Sequence, residues 1–91
     1  MKYEVKPTAK FRKEYRLAEK RGRNMDLLDA VITQLARGET LSSKYKDHAL
    51  AGSYVGCREC HIQPNWLLIY QIEEDVLVLV LSRTGSHSDL F

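Results

Sequence analysis

The chain contains three histidines, His48, His61 and His87. The second lies in a polar stretch, "ECHIQPNW" at residues 59–66, set between strongly apolar segments. An imidazole with an ordinary pKa of about 6.5 can both take and give a proton near neutral pH, so two of them can supply a general base and a general acid. Arg83 adds a planar guanidinium that stays charged and matches two phosphate oxygens at once. Trp66 and Phe91 carry flat rings on which a nucleobase can stack, a contact worth about 1–3 kcal/mol per base. One reaction uses all of these groups. Cleavage of RNA by its own 2'-hydroxyl needs a base for that hydroxyl, a cation for the charge that builds on the phosphoryl oxygens, and an acid for the departing 5'-oxygen. It requires no cofactor.

Other chemistries find less support. No Gly-rich phosphate loop is present, no serine sits in a nucleophile-elbow motif, and Cys57 and Cys60 lack the second ligand pair of a structural zinc site. The histidines have no paired helical spacing, so no metal is expected. Plainer roles stand beside the catalytic ones. Trp66, followed by "LLIY", suits a core, Phe91 suits an anchor for the tail, and Arg83 suits a pair with Glu59 or Asp89.

The elements that must position these groups follow from the pattern. "KYEVK" alternates up to Pro7 and reads as a short strand over residues 2–6. Thr8 can cap a helix in which Phe11, Tyr15 and Ala18 recur at helical spacing amid Lys10, Arg12, Lys13 and Arg16, ending near Gly22. Asn24 caps a second helix with the stripe Leu27, Leu28, Val31, Ile32 and Leu35, closed by Gly38. The two pack as a hairpin. Residues 39–53 form a polar connection that carries Lys46 and His48. "YVGCRECHI", "WLLIYQI" and "VLVLVLS", separated by "QPN" and "EED", then read as an antiparallel meander of three strands. The tail "RTGSHSDLF" holds Arg83, His87 and Phe91, an end kept in place rather than frayed. The expected fold class is α+β: a short strand, a two-helix hairpin on an antiparallel sheet, and a C-terminal tail.

With 91 residues, 44% of them hydrophobic and 29% charged, residues 1–91 make one ordered domain. No apolar run spans a bilayer and the start has no signal-like segment, which points to a cytoplasmic protein without a membrane partner. On a strand, Cys57 and Cys60 point to opposite faces, poor geometry for a disulfide. The net charge of +2 hides an asymmetry. Through Lys46 there are twelve Lys and Arg against six Asp and Glu, and beyond it two against six, or +6 and −4. The basic half suits a polyanion such as RNA, although Lys and Arg also simply solvate helices.

The string "YKDHALAGSYVGCRECHIQPNWLLIY" together with "RTGSHSDLF" resembles the YafQ-type toxins of the RelE superfamily, the toxic halves of bacterial type II toxin–antitoxin pairs. The resemblance covers nearly the whole chain. It implies a RelE-like α/β fold and an endoribonuclease that cuts messenger RNA in the ribosomal A site. It also implies a cognate antitoxin as partner, with operator DNA met only through the antitoxin complex. His48, His61 and His87 match the family's proton-transfer and RNA-binding histidines, with His87 as the favoured acid. Arg83 and Phe91 match its phosphate and substrate contacts, and Trp66 matches its tryptophan after the turn.

Two positions depart from the family pattern, which has aspartate at both. Glu59 keeps a carboxylate one methylene further out, whereas Asn65 can only hydrogen-bond and cannot act as a base. The base role therefore falls to His61 or His48, with Asn65 positioning the substrate and Glu59 facing the same side as His61 to orient its ring; Glu59 and Lys46 are also expected RNA contacts. The superfamily fold also hosts gyrase-poisoning toxins without these histidines. A toxin that acts only as a binding module is a further alternative.

Overall fold

A computed structural model describes residues Met1–Phe91. The elements in chain order are β1 (Glu4–Pro7), α1 (Ala9–Lys20), α2 (Met25–Ala36), β2 (His48–Ala49), β3 (Arg58–Gln63), β4 (Trp66–Glu73), β5 (Val78–Gly85) and α3 (His87–Leu90). The helices begin where the sequence places caps. The Thr8 hydroxyl oxygen accepts the Phe11 N–H, and the Asn24 side chain accepts the Asp26 N–H. Gly22, at φ +79°, turns the chain out of α1 in the left-handed conformation that glycine tolerates best.

The sheet runs β1-β5-β4-β3-β2. Strands β3, β4 and β5 form the expected antiparallel meander. Two features differ from the expectation. First, β1 joins the edge of β5 in parallel, Glu4 opposite Val78 and Pro7 opposite Leu81, so the sheet is mixed. A strand returning through helices is free of the hairpin geometry that forces antiparallel pairing. Second, the polar connection contributes β2, in which His48 pairs with Glu59 and Ala49 with Arg58. Two residues carry too little alternation to announce a strand. The tail continues β5 through Gly85 and then winds into α3, which starts on a capping box: the Ser86 side chain accepts the Asp89 N–H and the Asp89 carboxylate accepts the Ser86 N–H.

The near-continuous apolar run of β4 is explained by cover on both faces. Trp66, Leu68 and Tyr70 face the helices and join a core of fifteen buried residues that includes Phe11 and Ala18 of α1, Leu28, Val31 and Leu35 of α2, and Leu79 and Leu81 of β5. Leu67 and Ile69 face the other way, where Leu90 of α3 closes a cluster of only three buried residues, flanked by Leu50, Tyr54 and Cys57. Both cysteines are free and fall on opposite faces, Cys60 in the main core and Cys57 against the small cluster. Burial, followed by the nearby carboxylates of Asp47 and Glu59, pushes the Cys60 thiol up to about 12. No helix is long and apolar enough to cross a membrane.

Candidate active site

Strand β3 alternates its side chains, so Cys60 and Ile62 enter the main core while Glu59 and His61 share the thinner face. Glu59 is buried, and its Oε1 lies 3.5 Å from His48 Nε2 and 3.6 Å from His61 Nε2. One carboxylate thus faces two imidazoles, one from the neighbouring strand and one from its own. The other nitrogen of His48, Nδ1, donates to the carbonyl of Lys46 at 2.7 Å, where Lys46 adopts a left-handed backbone at φ 50°. Asp47, between them, accepts hydrogen bonds from the Tyr70 hydroxyl at 2.7 Å and from Arg58 Nε at 3.3 Å, which pins β2 and its histidine to the sheet.

His87 reaches this cluster from α3. Its ring centroid is 6.0 Å from that of His61 and 6.0 Å from that of Phe91. Phe91 meets the Tyr54 ring edge-on at 5.6 Å yet leaves 62% of its surface exposed, enough for a base to stack on it. The Asn65 side-chain oxygen accepts the His87 backbone N–H at 3.3 Å, so the β3–β4 turn holds the first residue of α3. The three histidines therefore lie in one chain of contacts, His48 and His61 on Glu59 and His87 beside His61. No three His, Cys, Asp or Glu side chains are gathered in a way that would hold a metal ion.

Three expected substrate contacts are placed differently. Trp66 is fully buried, with its Nε1–H donating to the Thr84 hydroxyl at 3.0 Å and the Arg23 guanidinium 5.0 Å above its ring. It anchors the turn from the core side, and a ring without exposed surface is not placed to stack on a base. Arg83 pairs with neither Glu59 nor Asp89. Its Nε and Nη2 donate to Glu14 of α1, the latter at 2.6 Å, and its Nη1 donates to the Tyr54 hydroxyl at 3.0 Å. The hydrogen bond to Glu14 raises the guanidinium above its ordinary range despite its desolvation. The fork that would grip two phosphate oxygens is occupied by this carboxylate. Glu59, likewise, is too buried to touch RNA and serves the imidazoles instead.

Glu14, Tyr54 and Arg23 were not singled out in the sequence. Glu14 left one signal, an acid in the middle of a basic helix face. It reaches past the end of β1 to the open edge of β5, where it also accepts the Thr84 backbone N–H at 3.3 Å. Beside it, a cleft of about 290 Å³ between α1 and the end of β5 is lined by Lys10, Lys13, Arg21, Arg23 and Arg83. Arg83 is paired with Glu14 and Arg21 with Asp89, so the excess positive charge comes from Lys10, Lys13 and Arg23.

Comparison with known proteins identifies the family. Residues 3–91 match the family described as the bacterial toxin of type II toxin–antitoxin system, YafQ. The chain is similar to the mRNA interferase toxin YafQ of Escherichia coli (strain K12), with 36% identity over 89 residues, covering 97% of this chain and 95% of that one. Its fold is similar to YafQ in the crystal structure of the E. coli DinJ-YafQ complex, with a TM-score of 0.90, 36% identity and 98% of each chain covered. It is also similar to a metal-bound toxin from Helicobacter pylori, with a TM-score of 0.92, 42% identity and 100% of each chain covered. The chain belongs to the YafQ family of bacterial toxins of type II toxin–antitoxin systems.

Proposed function

We propose that this protein is a ribosome-dependent endoribonuclease that cuts messenger RNA, and that it is silenced by a cognate antitoxin. The observation that carries the reading is the string of ionisable side chains His48, Glu59, His61 and His87, in which each neighbour faces the next. The E. coli relatives named as mRNA interferase toxins, and the relative solved with DinJ, support the substrate class and the antitoxin partner.

The geometry supports the following roles. With Glu59 at its Nε2, the His61 ring carries its hydrogen on that side and leaves Nδ1 to take the proton of the 2'-hydroxyl. His87, one ring away, delivers a proton to the departing 5'-oxygen. His48, held by the Lys46 carbonyl, faces the same carboxylate with its Nε2 and holds it when the ring carries both hydrogens. Phe91 takes a base on its open face. Asn65 acts here through His87 by holding the start of α3, a role an amide fills as well as a carboxylate. Arg83 keeps Tyr54, and through it Phe91, in position, while the uncompensated cations of the neighbouring cleft receive the backbone phosphates.

The test maps the 5' ends of an mRNA in a translating extract given the wild-type protein or His87→Ala. Discrete cuts that fall by about 10²- to 10⁴-fold in the variant, with its unfolding curve unchanged, support the reading. Wild-type protein that produces no cuts sinks it.

A further inference from the structure

Strand β2 pairs with β3 only at Arg58 and Glu59, so from Cys60 to Gln63 no strand covers that side of β3. The 3-10 turn Ser43–Tyr45 lies along this stretch instead. Between the turn and the strand is a pocket of about 320 Å³ whose lining includes Leu27, Tyr45, Lys46, His61, Ile62 and Gln63, together with Lys44 and Pro64. The register of β3 against β4 shifts between His61 and Gln63, and such a bulge re-aims the side chains around it. Glu59 and His87 do not line this pocket. Of the three histidines and Glu59, only His61 belongs to both places.

Resting on the RNA reading above, we propose that this pocket takes one nucleobase of the cleaved RNA, and that Gln63 reads its edge. The walls suit that ligand. Leu27 and Tyr45 offer apolar and aromatic surface for the flat faces of a base, beside the buried Ile62. Gln63 is exposed and carries a donor and an acceptor on one amide, the pattern that pairs with a base presenting an acceptor and a donor side by side. Lys44 and Lys46 supply charge for the flanking phosphates. His61 on the wall places the recognised nucleotide next to the reacting one, so recognition and cleavage share a side chain. Gln63 is then a specificity-determining residue, and Tyr45 is part of the same pocket.

Two measurements test this. In the first, 2'-O-methylated trinucleotides, which have no free hydroxyl to attack, are titrated into the isotope-labelled full-length protein. Shifts at the Gln63 side-chain amide and Tyr45 that are several-fold stronger for one central base are expected. Shifts confined to His87 and Phe91, or equal for all four bases, overturn the proposal. In the second, the bases next to the cut sites are counted for wild type and Gln63→Ala, and the preference at one position is expected to fall about tenfold. An unchanged preference in a variant that still cuts, or a wild type that cuts with no base bias, also overturns it. A protein that discriminates between trinucleotides but cuts no message keeps the pocket and loses the nuclease reading, so the two ideas fail separately.

Discussion

The two faces of the sheet are built differently although the same strands supply both. Towards α1 and α2, β4 presents Trp66, Leu68 and Tyr70 to a core of fifteen buried residues. Towards α3 it presents Leu67 and Ile69 to a cluster of three, and the space around that cluster is given to Glu59, His61 and His87. A domain of 91 residues has little apolar surface to spare, and buried polar groups need partners to offset their desolvation. One well-packed face supplies the stability that lets the other remain thin and polar. The histidines sit where loosening costs the fold least.

Mutations on the two faces should therefore differ in size. Trp66→Ala removes the largest fully buried side chain and its bond to Thr84, and should cost about 3–5 kcal/mol in a urea titration. Trp66→Phe keeps most of the ring, loses the Nε1–H donor, and should cost nearer 1 kcal/mol. On the thin face, Leu90→Ala should cost about 2 kcal/mol, the low end for a buried leucine, because a four-residue terminal helix can settle into the gap. The same variant should lose more cutting than its stability loss explains, because α3 carries His87. If Leu90→Ala proves as costly as Trp66→Ala, the contrast between the faces is wrong.

The smallest effect is set by pH. The N–H and hydroxyl of Ser86, with help from Arg21, hold the Asp89 carboxyl below its ordinary value of 3.8. A depressed carboxylate contributes stability that is present above its unfolded pKa and is lost as pH falls through the folded one. Amide signals of residues 87–91 should therefore shift towards coil below about pH 4, while those of β4 stay native-like at the same pH. Asp89→Asn should remove this pH dependence.

Much of the architecture was legible in the sequence because it rests on local signals. Thr8 and Asn24 announced the helix starts, and apolar runs broken by "QPN" and "EED" announced the meander. What escaped reading was long-range. The direction of β1 depends on where the helices return the chain, and β2 has two residues. At the site, the three histidines were visible by type, and Glu59 by its spacing of two from His61. The partner of Arg83 was not, because Glu14 lies on another element 69 positions away and reaches it only once α1 has packed along β5. For Trp66 the sequence left anchor and platform open, and burial decides for anchor.

The parallel pairing of β1 with β5 also has a consequence for biosynthesis. The strand that sits second in the sheet is made after the other four, so a growing chain holds β1 without its partner strand until β5 emerges. His87 emerges later still. Until residues 78–90 are in place His87 cannot join His48 and His61, so a shorter nascent chain carries an incomplete site. If the protein cuts message as proposed, a cell making it meets the activity only from finished copies.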